Sequence, residues 1–171
     1  VGMETLFLHE AIPGHHFQIS LQQENKELPA FRKFLGYSAY AEGWALYTET
    51  LGKELGLFTN PYQYLGHLSD AMHRAIRLVV DVAIHTKGMQ REEAITFMMQ
   101  NERISEQEAT AEIERYMAIP GQALSYKIGQ FSIEKMKQHC MKKLGNRFDI
   151  KKFHTQLLEG GNMSLQILEK K

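Results

Sequence analysis

The chain has 171 residues, of which 43% are hydrophobic and 23% are charged, proportions that are typical of a globular protein. Its 20 acidic and 20 basic residues balance, which argues against a surface that binds nucleic acid or an anionic membrane. No apolar stretch approaches the roughly 20 residues needed to cross a bilayer, and the lone Cys140 excludes an internal disulfide.

Helix signals follow one another along the chain, whereas strand-like alternation is weak throughout. An amphipathic helix is expected to begin at Glu42, after a polar turn at residues 25–29. Further helices are predicted, in chain order, over residues 61–85, 92–101, 105–117, 122–144 and 149–159, with a last short helix from Asn162. These signals predict an all-α multi-helix bundle that forms one domain over residues 1–171.

The segment HEAIPGHH at residues 9–16 has the residue types of a catalytic zinc site. Zinc prefers imidazole nitrogen and carboxylate oxygen, and a His-Glu pair with another histidine one helical turn later supplies two ligands and a general base. Here His9 and Glu10 form the pair, but the next histidines, His15 and His16, come six and seven residues after His9. Two histidines on one helix face are normally three or four residues apart, so the spacing needs a structural cause.

Pro13 and Gly14 supply that cause. Proline cannot donate a hydrogen bond to the carbonyl of His9 and crowds it, and glycine allows backbone angles closed to other residues. We therefore expect a bulged or briefly broken helix between residues 12 and 15. A bulge of two residues would bring His15 under His9, whereas one of three would bring His16; we favour His15 as the ligand.

The third protein ligand is expected to come from a neighbouring helix, and a carboxylate is the common choice. Glu42 and Glu49 are seven residues apart on the same predicted helix face. Glu42 could bind the metal while Glu49 orients a ligand or contacts the substrate. Equally, Glu49 could be a solvated helix charge.

Four motifs together resemble a bacterial family catalogued as domain of unknown function 885. They are HExxPGHH at residues 9–16, EGWALYxE at 42–49, RxxRLVVDxxxH at 74–85 and RYxxxPGQAxxY at 115–126. That family in turn resembles the mostly helical gluzincin peptidases, such as thimet oligopeptidase, carboxypeptidase Taq, angiotensin-converting enzyme and dipeptidyl peptidase III. Those peptidases place the two histidines four or five residues apart, although dipeptidyl peptidase III combines a lengthened spacing with activity.

The resemblance implies a fold that is the C-terminal part of a gluzincin-like helical peptidase. It also implies Zn²⁺ held by His9, His15 and Glu42, with Glu10 as the general base. Because the related families build their cleft from two helical halves, a missing N-terminal half of the same protein would complete it. The location of the protein, cytoplasmic or exported, stays open.

Two tyrosines are candidates for stabilising the oxyanion of a tetrahedral intermediate, because a phenol hydroxyl can donate to it. Tyr116 is the first candidate, because it follows Arg115 in a pair that resembles the Arg-Tyr pair of angiotensin-converting enzyme. Tyr126 lies shortly after the Pro120–Gly121 break. For either residue, a half-buried tyrosine with its hydroxyl at the rim of a helix is the ordinary structural interpretation.

Arg77, Asp81 and His85 are spaced four residues apart and follow Arg74 in an otherwise apolar helix. Since an unpaired buried charge is costly, an Asp81–Arg77 or Asp81–His85 network is expected. Alternatively, His85 or Arg77 reaches the substrate or the residues that orient the metal ligands. The complete set assigned to such supporting roles is Glu49, Arg77, Asp81, His85, Arg115 and Gln122.

The function predicted from these residues is zinc-dependent hydrolysis of peptide bonds, with short peptides as substrates. A metal-dependent hydrolase of non-peptide amides or esters would use the same residues. A noncatalytic metal-binding fragment is the remaining alternative, and the isolated chain could be inactive without the rest of the protein.

Overall fold

The computed structural model describes residues 2–171, which form ten α-helices and no β-strand. The helices are α1 Met3–Glu10, α2 His15–Glu24, α3 Ala30–Phe34, α4 Ser38–Glu49, α5 Pro61–Lys87, α6 Arg91–Asn101, α7 Glu106–Ala118, α8 Ser125–Leu144, α9 Ile150–Leu158 and α10 Leu165–Leu168. The predicted all-α bundle is therefore confirmed at the level of fold class. Within residues 2–171, no helix has both the length and the apolar character needed to cross a membrane.

Side-chain caps set three of the helix starts that the sequence predicted. Ser105 and Glu108 form the capping box that begins α7, and Asp149 accepts hydrogen bonds from the first turn of α9. The prediction was wrong at two helix starts. The helix that carries Glu42 begins four residues earlier, at Ser38, and the last helix begins after Ser164 instead of at Asn162.

Two hydrophobic cores hold the bundle together. In the first, Tyr40, Trp44 and Tyr47 of α4 and Leu51 of the turn after it pack against α8, α9 and α10. In the second, apolar side chains of α5, α6 and α7 pack on one another. The aromatic stripe on α4 follows the helical period, so burial of this one face fixes the direction in which the opposite carboxylates point.

Helices α4 and α8 touch backbone to backbone at Gly43 and Gly129. A Cβ atom added to Gly43 would lie 2.4 Å from the Cα atom of Gly129, and one added to Gly129 would lie 2.0 Å from the carbonyl oxygen of Ala39. Only glycine fits at such a crossing. Since Glu42 precedes Gly43 and Tyr126 lies one turn before Gly129, this contact brings the two side chains into the same region.

Candidate metal centre

The helix is interrupted between α1 and α2, as the Pro13–Gly14 pair predicted, and the interruption is longer than a bulge. Helix α1 ends at Glu10, four non-helical residues follow, and α2 begins at His15. The indole of Trp44 donates a hydrogen bond of 2.8 Å to the carbonyl of Pro13. A Cβ atom on Gly14 would lie 1.9 Å from the carbonyl oxygen of His9, so the return of the chain requires glycine.

This break brings His15, and not His16, to His9 and Glu42. The Nε2 atom of His15 lies 3.1 Å from Oε2 of Glu42, and the Nε2 atom of His9 lies 3.6 Å from the same oxygen. One donor atom from each of the three residues lies within 4.8 Å of the other two. The His16 side chain is exposed. We call His9, His15 and Glu42 the His/Glu cluster.

Glu49 fixes the orientation of the His9 ring from the opposite side. Its Oε1 atom lies 2.7 Å from Nδ1 of His9, and both side chains are buried. Glu42 and Glu49 therefore approach the two nitrogens of one imidazole from positions seven residues apart on α4. A carboxylate that accepts from Nδ1–H leaves Nε2 free to bind a metal, which is the usual arrangement behind a histidine ligand.

The charges of the cluster are strongly coupled. Burial opposes protonation of His9, but the carboxylates of Glu42, at 3.6 Å, and Glu49, at 2.7 Å, outweigh it and raise the pKa of His9 to about 9. Burial disfavours ionised Glu42, yet the imidazoles of His15 and His9 lower the pKa of Glu42 to about 2. Burial raises the pKa of Glu49, against the opposing effect of His9. A proton and a cation thus compete for the same imidazole.

His67 on α5 extends the cluster, and the sequence interpretation missed it. Its Nδ1 atom lies 3.8 Å from Oε2 of Glu49, and both of these atoms are buried without a hydrogen-bond partner among the described residues. The spacing could have revealed it, because Arg74 and Asp81 follow His67 at intervals of seven on the same helix. His67 therefore begins the polar stripe of α5.

Tyr126 is the tyrosine that the structure brings to the cluster. Its ring stacks on the His9 ring with centroids 6.1 Å apart and planes 17° apart. Burial raises the pKa of Glu42, and Tyr126 contributes to lowering it, although less than the two histidines do. The guanidinium carbon atoms of Arg74 and Arg77 lie 4.3 and 4.9 Å from the centroid of the Tyr126 ring.

Tyr116, the first choice from the sequence, lies instead in the core formed by α5, α6 and α7. It is fully buried, and its hydroxyl donates to Glu112 and accepts a 2.9 Å hydrogen bond from Nε of Arg77. Burial raises the pKa of this phenol well above its usual range. The hydroxyl is therefore engaged in a structural network and is not directed at the His/Glu cluster.

The partners predicted for Asp81 were wrong. Both carboxylate oxygens of Asp81 accept from the backbone N–H of Gly121 at 3.1 Å, and Nε2 of His85 bonds to the carbonyl of Tyr116 at 3.1 Å. Neither residue pairs with Arg77, whose partners come from α7. Asp81 and His85 therefore hold the end of α7 and the connection to α8 in place. Tyr126 follows this connection at the start of α8.

Three further predicted residues lie near this centre or its supports. Arg115 donates to Glu112 at 2.9 Å and to Oε1 of Gln122 at 3.3 Å, so Arg115 and Gln122 also brace the α7–α8 connection. Glu10 is the last residue of α1 and directly follows His9. Its side chain is exposed and makes no hydrogen bond within residues 2–171.

Comparison with other proteins agrees with the motifs. The family described as bacterial protein of unknown function (DUF885) matches residues 1–171. No curated protein matches the chain. Two solved structures are similar over 97% of its length: a candidate lipoprotein from Colwellia psychrerythraea, with 45% identity and a TM-score of 0.95, and a candidate lipoprotein of unknown function from Shewanella oneidensis, with 30% identity and a TM-score of 0.88.

The chain covers only 28% and 30% of the lengths of these two proteins. It therefore spans less than a third of each relative. The family model matches the whole chain, and the Colwellia protein is 45% identical to it. The chain belongs to the DUF885 family of bacterial proteins.

Proposed function

We propose that this domain carries the active site of a zinc-dependent hydrolase that cleaves peptide bonds, with short peptides as the preferred substrates. The observation that carries the proposal is the His/Glu cluster, backed by Glu49 on the far nitrogen of His9. The preference for short peptides, and the likeness to the gluzincin peptidases, rest on the resemblance of the motifs.

The donor set fits zinc. Two imidazole nitrogens and one carboxylate oxygen are a known catalytic ligand set, and bonds of about 2.0–2.1 Å place tetrahedral ligands roughly 3.3 Å apart. Of the three separations within the cluster, those from Glu42 to His15 and to His9 are 3.1 and 3.6 Å and bracket that value, and all three are at most 4.8 Å. When bound, Zn²⁺ would supply a Lewis acid that polarises the scissile carbonyl and acidifies a water molecule.

Side chains of the domain would do the remaining work. Glu10, with its free carboxylate beside His9, would take a proton from the attacking water and return it to the leaving amine. The hydroxyl of Tyr126, at the edge of the cluster, would donate to the developing oxyanion. Glu49 would hold the His9 ring in the orientation and tautomer that a ligand needs.

The names of the two structural relatives also bear on location. Both are described as candidate lipoproteins, and lipid-anchored proteins of bacteria are exported. We therefore propose an exported protein, of which this domain is one part and the remaining chain completes the cleft.

Metal analysis tests the ligand set. The protein should hold about one zinc per chain at neutral pH, and His15→Ala should lose most of it. His16→Ala is the matched control, because its side chain is exposed, and it should keep its zinc. Equal zinc contents in the two variants would contradict the assignment of His15.

Turnover tests the chemistry. The full-length protein should cleave members of a mixed peptide library, and Glu10→Gln should reduce kcat by at least about 100-fold while zinc stays bound. Unchanged turnover in Glu10→Gln would refute its role as the base. Cleavage of esters or non-peptide amides alone would favour the second candidate hydrolase, and zinc without any turnover would favour a noncatalytic metal site.

A further inference from the structure

Arg74 is a partly buried arginine without a hydrogen-bond or ion-pair partner among residues 2–171. Its side chain lies over one face of Tyr126, whose ring in turn stacks near His9. The guanidinium carbon of Arg74 is therefore within about 10 Å of the centre of the His9 ring. Its side chain is only partly buried, so its nitrogens keep some exposure to solvent.

Arg74 has carboxylates nearby, but none of them forms a hydrogen bond or an ion pair with it. Asp70, one turn earlier on α5, is close enough to interact with Arg74 through its charge but forms no ion pair with it. Burial and the neighbouring charge of Arg77 lower the pKa of Arg74, whereas the charges of Glu49 and Glu42 raise it. Stacking on Tyr126 contributes only about 0.5–2 kcal/mol. Two guanidinium groups on one tyrosine ring thus concentrate positive charge beside the cluster.

Arg77 supplies a second, independent observation. It is 4% exposed, and while its Nε and Nη2 atoms have partners, Nη1 is buried with none. A buried donor without an acceptor costs roughly 1–3 kcal/mol. Its guanidinium lies against the same tyrosine ring as that of Arg74. Both guanidinium groups therefore lie beside the Tyr126 ring, and each has hydrogen-bonding capacity that no described residue fills.

We propose that Arg74, supported by Arg77, binds the C-terminal carboxylate of the peptide substrate. An arginine fork matches a carboxylate in shape and charge, and it does so with two parallel hydrogen bonds. An extended peptide advances about 3.3–3.6 Å per residue, so a carboxylate at Arg74 lies up to about three residues from a bond cleaved at the cluster. The domain therefore releases short fragments from the C-terminus. This inference rests on the proposed peptidase function.

The test compares one peptide in two forms with the full-length, zinc-loaded protein. Hexa-alanine with a free carboxylate should be cleaved within three residues of its C-terminus, as mapped by mass spectrometry. Its C-terminal amide should show a kcat/KM lower by roughly 10- to 100-fold, the effect of losing a charge-assisted hydrogen-bond pair. Equal values for acid and amide would overturn the proposal.

Variants of Arg74 separate recognition from structural support. Arg74→Gln should raise KM for the free acid by roughly 10- to 100-fold, change kcat little and leave the amide unaffected. Arg74→Lys should restore only part of the loss, because lysine cannot form the two-pronged contact. Arg91→Gln is the matched control, since Arg91 pairs with Glu114 on the surface away from the cluster. Equal loss for acid and amide in Arg74→Gln would indicate structural support alone and overturn the proposal.

An acidic side chain is the other possible source of a carboxylate, and a third substrate distinguishes it. An amidated hexapeptide with aspartate at the penultimate position should be as poor a substrate as amidated hexa-alanine. If the aspartate restores cleavage in an Arg74-dependent manner, a side-chain carboxylate is the ligand and the assignment to the C-terminus is wrong.

Calorimetric titration makes the outcome independent of turnover. Trialanine should bind the zinc-loaded Glu10→Gln variant at least about 10-fold more tightly than trialanine amide, and Arg74→Gln should abolish that difference. If the wild-type protein cleaves no peptide but this difference in affinity is present, the peptidase function fails and the carboxylate site stands. If cleavage occurs without the difference, only the carboxylate site fails.

Discussion

Replacement of Gly129 by alanine tests the close crossing of α4 and α8 on which the site depends. The new Cβ atom would lie 2.0 Å from the carbonyl oxygen of Ala39 and 2.5 Å from the Cα atom of Gly43. Both are backbone atoms, which cannot rotate away as a side chain can. Relief of the clash to an ordinary separation of about 3.4 Å requires the two helices to move apart by more than about 1 Å.

The expected cost follows from that displacement. Overpacking of a well-packed interior typically costs about 1–3 kcal/mol, and a clash with backbone belongs at the upper end. The better helix propensity of alanine returns about 0.5–1 kcal/mol. We therefore expect a net loss of about 2 kcal/mol in the free energy of unfolding. For a domain of this size, the melting temperature should fall by roughly 4–8 °C.

Thermal unfolding followed by circular dichroism measures this change, with Gly36→Ala as the control. A Cβ atom at Gly36 would meet nothing within 4 Å, so its stability should stay the same or rise slightly. Zinc content should also fall in Gly129→Ala, because the helices that carry Glu42 and Tyr126 separate. If Gly129→Ala melts at the same temperature as Gly36→Ala, the reasoning from the close crossing is refuted.

Two further predictions concern the cluster itself. With chelator present, protonated His9 should contribute about 3 kcal/mol of stability below pH 6.5, and this contribution should be lost as the pH rises through its raised pKa of about 9. Urea unfolding at pH 6 and pH 9.5 measures it, and His9→Gln should lack the same loss. Glu49→Gln should weaken zinc affinity by roughly 10- to 100-fold without removing a ligand, as competition with a chromogenic chelator would show; unchanged affinity would mean that Glu49 does not support His9.

Local features of the structure were predictable from the sequence because short-range physics determines them. Serine and aspartate caps fix helix starts through contacts within a few residues, whatever the rest of the fold is. Likewise, Pro13 cannot continue the helix of His9. The helical period alone predicts that Glu42 and Glu49 lie on the same face of α4. The choice of His15 over His16 as the ligand depended on the size of the break, and the structure brings His15 to His9 and Glu42.

Long-range partners were not predictable, because they depend on which helices pack together. The sequence suggested that Asp81 would pair with a neighbour four residues away, whereas its partner is the backbone of Gly121, forty residues later. Tyr116 and Tyr126 flank the same Pro-Gly break, and only the packing of α7 on α5 decides which of them is sealed in the core. The interval of seven residues between His67 and Arg74 can be read from the sequence, but it does not indicate what either side chain binds.

The motif EGWALYxE at residues 42–49 is explained by the number of elements that α4 must contact. Successive residues of a helix point about 100° apart, so a short segment faces every direction. Glu42 and Glu49 clamp His9, and Gly43 allows α8 to approach. Trp44 holds the break before α2, and Tyr47 bonds to α9 through its hydroxyl. The two glutamates use one face of α4, Gly43 uses a second, and Trp44 and Tyr47 use a third. A change on one of these faces therefore disturbs a different neighbour of α4.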